Sequence, residues 1–397
     1  MLRPNTLIQI EQQANSAYPS RELNTFILDF AISGEINSSW QNLTDTAKIR
    51  LPRSVYVEDQ NGKLFQWAGK GIYGPDGSQT PLFLRGDRIS IYLGYFYDNG
   101  DGSETLQMPS APQFKGYITR IKNRIPIEIE CEDEMFKLKQ INAPNKLFKG
   151  SQYSVKTMLQ ELLAGTDYTV SDGGAEVNIG DFRTQNETIA SVLERIRRDG
   201  SLYSYFRGTE LRCSGIVYYP QEMEVQEVFA FQENIISDAL EYTRKDDLNI
   251  AIKASTQQIK NTSAFNEDGS HKTERTRIEV LVGKDGEITD PKSFHGDIIS
   301  FPVFTAKTKA DLIKRAKEYL PKVYYTGFKG DFTTFGQPTV THGNAAIIRD
   351  RVIPERNGTY LIKQVTTTFG TGGLRQKIAT HLRIDQGFTA SELNAGI

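Results

Sequence analysis

Apolar and polar positions alternate in short runs along the first third of the chain. Residues 25–32 alternate around Phe26, Leu28 and Phe30, and residues 47–52 around Ala47, Ile49 and Leu51. Residues 89–95 form an apolar run behind a Gly86-Asp87 turn. Residues 114–121 and 125–131 make a strand pair around Asn123-Arg124. Asn61-Gly62 and Asp98-Asn99-Gly100 are turn signals. A period of two broken by turn chemistry predicts a small antiparallel barrel or sandwich over residues 1–148.

The period changes near residue 150. Val155, Met158, Leu159, Leu162 and Leu163 fall at helical spacing behind Ser154, a residue type that caps helices, and Gly165 follows. A second helix is predicted over 184–198, with Ile189, Val192, Leu193 and Ile196 on one face. Residues 202–213 then read as a tight hairpin, which makes 149–226 a small α+β domain. From 227 to 385 the chain returns to strands, including 275–282, Thr339-Val340, 345–348, 359–365 and 374–384. One helix interrupts them at 308–320, capped by Thr308 and stopped by Pro321. Residues 255–272 read as a polar loop and 386–397 as a loose tail. The expected fold class is mainly β with an α+β insert.

Composition narrows the role. Charged residues make up 24% of the chain and hydrophobic ones 38%, a globular balance. The 47 basic and 49 acidic residues leave a net charge of −2, which excludes a surface that grips nucleic acid everywhere. No stretch approaches the roughly 18 apolar residues of a membrane span, and the first residues lack the apolar run of a signal peptide. The expectation is a soluble chain made in the cytoplasm. Cys131 and Cys213 match no metal spacing and are expected to be buried thiols.

The chemistry a catalyst needs is thin. His271, His295, His342 and His381 stand singly, with no HExxH pair, and His342 sits in a turn setting. Neither a nucleophile elbow nor a phosphate loop occurs. Gly370-Thr371-Gly372-Gly373 reads as a hairpin turn, because no helix follows it. Glu128, Glu130 and Glu132 alternate on one strand face beside Asp133 and Glu134; a solvated face is the plain reading and a carboxylate site the alternative. Asp246, Asp247 and Asp297 say less. Lys309, Lys314, Arg315 and Lys317, interspersed with Asp311 and Glu318, suit a solvated helix face, and Arg195, Arg197 and Arg198 suit a helix C-terminus. Tyr203, Tyr205, Phe206 and Arg207 form the one aromatic stretch suited to stacking on a base or sugar, though such residues in a short hairpin usually face a core. No catalytic, cofactor or metal residues are expected.

The order of the pieces carries a resemblance. Residues 84–91 (LRGDRISI) followed by 114–118 (FKGYI) are similar to the first barrel of the phage-type tail hub family. Residues 188–196 leading to Tyr205-Phe206-Arg207-Gly208 and Leu211 look like its helix and Tyr-rich hairpin. Residues 332–338, His342-Gly343-Asn344 and 358–365 resemble its C-terminal strands. That family includes the baseplate hub of contractile phages, the late-control tail protein and the N-terminal part of the valine-glycine repeat spike proteins of type VI secretion. The first 25 residues match nothing in it, and a fused spike or lysozyme domain is not expected.

The resemblance implies two similar β-barrels per chain and a homotrimer whose six barrels make a pseudo-sixfold ring. Such a ring would join a sixfold tail tube to a threefold spike in a virion or injection particle, with DNA only passing through. It implies no enzyme and no cofactor. Two other readings compete with it. One is a tail-associated peptidoglycan hydrolase using Glu130 or Glu134; the other is a glycan- or receptor-binding module using residues 202–206.

Overall fold

The computed structural model describes residues 2–384 except 20, 22, 63, 68–71, 74–78, 123, 172–178, 201, 215–223, 266–270, 304, 305 and 307. The expected tail at 386–397 lies outside the described residues. Strands dominate, as the alternation predicts. Thr46–Leu51 buries Ala47, Ile49 and Leu51 while Thr46, Lys48 and Arg50 face the other way. Gly86, at φ 96°, makes the turn into Arg88–Asp98 that a side-chain-bearing residue would strain.

A single 16-stranded sheet runs through both β regions, and it contains a repeat. In the first region Ser33–Ser39, Thr46–Leu51, Ile127–Glu132, Phe114–Lys122 and Arg88–Asp98 lie side by side, every pair antiparallel. In the second, Ile235–Asp238, Asp331–Phe335, Arg375–Arg383, Gly358–Gly370 and Ala345–Arg349 do the same. Ranked along the chain, both sets read first, second, fifth, fourth, third. A further strand extends each set past its third-ranked member: Leu2–Glu11 runs antiparallel to Arg88–Asp98, but Gln226–Ala230 runs parallel to Ala345–Arg349. Leu2–Glu11 pairs in turn with Thr25–Leu28, which directly precedes Ser33–Ser39 in the chain as Gln226–Ala230 precedes Ile235–Asp238; Val55–Asp59 and Leu64–Trp67 continue the sheet beyond Thr25–Leu28. The units are joined where Ser33–Ser39 pairs antiparallel with residues 364–370.

The insert between them has its own core. Val155–Leu162 is capped by Ser154, whose hydroxyl accepts from the Thr157 amide at 3.2 Å, and it buries Val155, Met158, Leu159 and Leu162. The second helix is Ile189–Gly200, beginning five residues later than the sequence suggested. Phe182–Thr184 is instead a short strand paired with Lys146–Phe148, and the Thr188 hydroxyl accepts from the Ser191 amide at the true start. Tyr203–Arg207 and Glu210–Ser214 form the expected hairpin, turning at Gly208 (φ 61°). This core also recruits Met135, Leu138 and Phe148.

In the second β region three expectations change. The presumed polar loop 255–272 is mostly strand, within Ile250–Phe265 and His271–Gly283, an antiparallel pair in register from Ile252↔Val282 to Asn261↔Thr273, with a shift before Phe265↔His271. Main-chain bonds hold such a ladder without an apolar face, so its Thr, Asn, Gln and charged residues concealed it. The helix is Lys309–Val323 and runs through Pro321 into its last turn, where the proline forfeits one i→i−4 bond without ending the helix. Thr339 and Val340 are not a strand; the Val340 amide donates to Gln376 Oε1 at 3.3 Å. The helix sets Leu312, Ala316, Tyr319 and Leu320 in one core with Ile252, Ala254, Val280 and Val282 of the hairpin. Among the described residues no helix is long and apolar enough to cross a membrane.

Candidate functional site

The polar residues that stand out chemically gather where the three units meet. Arg207, at the turn of the insert's hairpin, reaches into the Thr341–Asn344 turn of the second β unit. Its guanidinium lies 3.0 Å from both ring nitrogens of His342 and donates to the His342 carbonyl at 2.6 Å. The same guanidinium stands over the Tyr205 ring at 4.6 Å, and that ring meets His342 edge-on at 4.7 Å. His342 is therefore a turn residue, as its sequence suggests, but a wholly buried one at 0% exposure.

Behind His342 lies a carboxyl pair from the first unit. Asp45 Oδ2 is 3.9 Å from His342 Nε2 and accepts from the Ser38 hydroxyl, while Oδ1 accepts from the Ser39 amide at 3.0 Å. Asp133 accepts from the Asp45 amide at 3.1 Å and from the Met135 amide at 3.0 Å. Burial pushes the Asp45 carboxyl up, against the hydrogen bond from Ser38 and the charge of Arg207. Burial, with Asp45 beside it, pushes Asp133 up well above the carboxylate range. Burial also holds His342 well below the usual imidazole value, and the charges of Arg207 and Arg212 add to this. Arg207, with Arg212 also acting on His342, thus stands among groups that resist charging, the arrangement of a structural clasp.

Aromatic rings continue the junction. Trp40 of the first unit meets Tyr203 of the insert at 4.9 Å and His381 of the second unit at 5.3 Å. Arg197 donates to the Gln41 carbonyl at 2.7 Å, and Tyr97 to Gln337 at 2.5 Å. Tyr95 ties the two β units directly: its hydroxyl accepts from the Gly336 amide at 2.9 Å and donates to the Leu374 carbonyl at 3.1 Å.

The carboxylates singled out from sequence go elsewhere, and separately. Glu128 has 0% side-chain exposure, enclosed by the long side chains of Lys48, Arg50, Lys122 and Arg124. It is not the freely solvated carboxylate that a bare outer strand face would give, and its cations, led by the hydrogen bond from Lys122, hold it far below the carboxylate range. Glu130 pairs with Lys122 and Glu132 with Lys139. Glu134 accepts from Arg88 at 2.5 Å, Tyr117 at 3.1 Å and Tyr168 at 2.7 Å, which pins the insert to the first unit. Glu130 and Glu134 therefore make separate sets of contacts.

The remaining candidates also have structural settings. Tyr205 and Phe206 are buried, so the hairpin is not an exposed stacking platform. Gly370 to Gly373 form the turn of the C-terminal hairpin, whose Gly373 amide donates to the Gly370 carbonyl at 3.0 Å. Lys309 pairs with Glu287 and Arg315 with Glu318. Arg195 stands over the Phe182 ring at 4.0 Å. Asp246 and Asp247 lie in a short 3₁₀ turn, Asp297 opens a strand, and the His295 carbonyl accepts from Asn249. Cys131 and Cys213 are buried free thiols, and burial pushes Cys213 up to about 11. His271 lies in a strand whose side chain there is outside the described residues. Among the described residues no group of three or more His, Cys, Asp or Glu is placed to hold a metal ion.

Sequence reading missed Asp45 and the buried Arg21–Asp87 pair at 2.7 Å. Both aspartates sit in turn-like stretches where Asp is ordinary, and only tertiary contact shows what they bond.

No family model matches the chain, and no curated protein matches it in sequence. Among solved structures, the tail protein from Neisseria meningitidis MC58 superposes with a TM-score of 0.53 at 13% identity, over 96% of this chain and 97% of that one. The 43 kDa tail protein of prophage MuSo2 from Shewanella oneidensis superposes with a TM-score of 0.52 at 10% identity, over 98% of this chain and 99% of that one. The chain shares the fold of these tail proteins from end to end.

Proposed function

We propose that this chain is the structural hub of a phage-type tail or contractile injection particle. Three copies close a ring of six barrel-like units, which stacks on a sixfold tail tube and presents threefold symmetry to a central spike. The observation that carries this reading is the repeat: two units with one strand order, joined edge to edge within a chain. A chain built of two similar units offers six similar faces from three copies, the arithmetic a junction of sixfold and threefold symmetry needs. The full-length fold likeness to two tail proteins supports it.

In this role the chain works through surfaces, not through a reaction. The clasp of Arg207 and His342, the Glu134 contacts and the Tyr95 bonds hold the units at fixed angles, as a ring that transmits load requires. Its place is in the assembled particle, and DNA passes through without sequence-specific contact. Sedimentation and electron-microscopic class averages test the reading, on the chain alone and with the particle's tail tube protein. A threefold mass and rings of six lobes are expected. A single-chain mass at every concentration, with and without tube protein, would overturn it.

A further inference from the structure

At the Leu64–Trp67 end of the sheet the outer face carries exposed apolar side chains. Thr25–Leu28, Val55–Asp59 and Leu64–Trp67 lie side by side there in antiparallel register. Phe26, Leu28, Val57 and Trp67 are buried in the first unit's core. The alternate positions face out, and they are not the polar set of a solvated strand face. Ile27 stands opposite Glu58, and Glu58 opposite Leu64, which makes one cross-strand row. Tyr56 lies two residues before Glu58 and Asp29 two residues after Ile27, exposed on the same face. Tyr56 and Leu64 are 65% and 63% exposed, and Ile27 38%. A contiguous exposed apolar surface of this kind marks a contact site.

Charge decides what fits it. Glu128, also on an outer strand face, is answered by four cations of its own chain. Neither Asp29 nor Glu58 has a cation partner among the described residues. Asp59, next to Glu58, is buried and accepts from the Asn61 amide at 2.9 Å. Glu58 thus stands as an unneutralised carboxylate between Ile27 and Leu64, with the Tyr56 ring about 7 Å along the strand. An arginine suits that setting, because its planar guanidinium forks onto a carboxylate and lies against an aromatic ring. Phosphate-bearing partners, whether nucleic acid or lipid headgroup, meet two uncompensated negative charges here and are repelled.

We propose that this face docks another protein of the particle, one that presents an arginine between apolar side chains, with Glu58 as its anchor. The docking rests on the hub reading, which supplies the particle in which such a partner sits. Contact removes the apolar row from water and gives Glu58 a charge-assisted, bidentate bond.

The test is made in assembled tails, with a photo-crosslinking benzoylphenylalanine in place of Leu64, which leaves Tyr56 and Glu58 intact. The expected result is a link to a protein other than this chain, at a segment that carries an arginine. Glu58→Arg should cut the linked fraction about tenfold, the effect of losing one charge-assisted bond. Exchanging the partner's arginine for glutamate should then restore it. Links that fall only on copies of this chain, that reach segments without arginine, or that persist unchanged in Glu58→Arg overturn the docking and leave the hub reading standing. So does a chain that stays unlinked in intact tails. An unmodified chain absent from assembled tails overturns both. Should a shifted urea midpoint show Glu58→Arg to be misfolded, Glu58→Gln serves instead: a lower linked fraction supports the docking, and an unchanged one overturns it.

Discussion

Phe369 lays its ring in the space a side chain at Gly34 would occupy: the two are cross-strand partners, and a Cβ on Gly34 would stand 1.9 Å from the ring. The strand of Phe369 belongs to the second β unit, yet its ring is buried in the core of the first. Glycine is what lets one unit plug into the other. Gly34→Ala must push the ring aside, at a cost of about 1–3 kcal/mol. Gly372→Ala, in the same hairpin with nothing within 4 Å, is the control. Urea unfolding of both variants checks this; equal midpoints would show that the ring has room to move.

Tyr95→Phe removes the hydroxyl shared by the Gly336 amide and the Leu374 carbonyl; the carbonyl still accepts from Arg375 at 2.8 Å, but the Gly336 amide is left unbonded in a buried place. The expected loss is about 1–3 kcal/mol. Because the bonds cross between units, amide exchange at Gly336 should quicken by more than the global loss accounts for. Exchange that tracks global unfolding alone would show the hydroxyl to be ordinary core.

Glu128 is surrounded by four cations, from two strands and the segment after one of them, so Glu128→Gln leaves like charges facing one another. The cations themselves are largely solvated, and screening limits the loss to about 1–2 kcal/mol. The loss should shrink when salt is raised from 0.05 to about 1 M, where the screening length falls to ~3 Å. A loss independent of salt would place the cost in packing instead. The folded carboxyl is held below its usual value, so the wild-type advantage is full above pH ~4.5 and fades as pH falls below it.

How far these residues were legible in sequence follows from the range of the forces involved. Alternation in Thr46–Leu51 and the helical stripe with its Ser154 cap are local, and both were readable. In the pair Ile250–Phe265 and His271–Gly283, the stretch 275–282 was readable as strand, but the polar part within 255–272 was not, because main-chain pairing leaves no periodic signature in polar residues. His342 was readable as a turn residue, but its burial comes from Arg207, 135 positions away. Glu128 was readable as one of an alternating acidic set; the cations enclosing it arrive from neighbouring strands. The strand repeat was expected only through a family resemblance, since the two units share a pairing order and no spacing.

Acidification should act on the three-unit junction through two opposing sets of groups. Burial, with the charge of Lys363 adding to it, holds His381 down at about 4, and His342 also lies well below its usual value. Unfolded imidazoles bind protons from pH ~6.5 downward, so these histidines make the fold lose stability as pH falls from 6.5 toward 4. Asp45 and Asp133 are raised, so their contribution is present below pH ~3.8 and is lost as pH rises through their folded values. Asp45→Asn separates the two sets: its amide oxygen still accepts from Ser39, its amide nitrogen faces the Ser38 hydroxyl, and the charge beside Asp133 is gone. The variant should be more stable than wild type at pH 7, by about 1.4 kcal/mol for each pK unit of elevation removed. That advantage should vanish near pH 4, so the variant loses stability more steeply on acidification. Urea midpoints at pH 7 and pH 4 decide it. A variant weaker at pH 7 would mean that attraction between ionised Asp45 and Arg207 outweighs the cost of burial, and that the clasp is an ion pair.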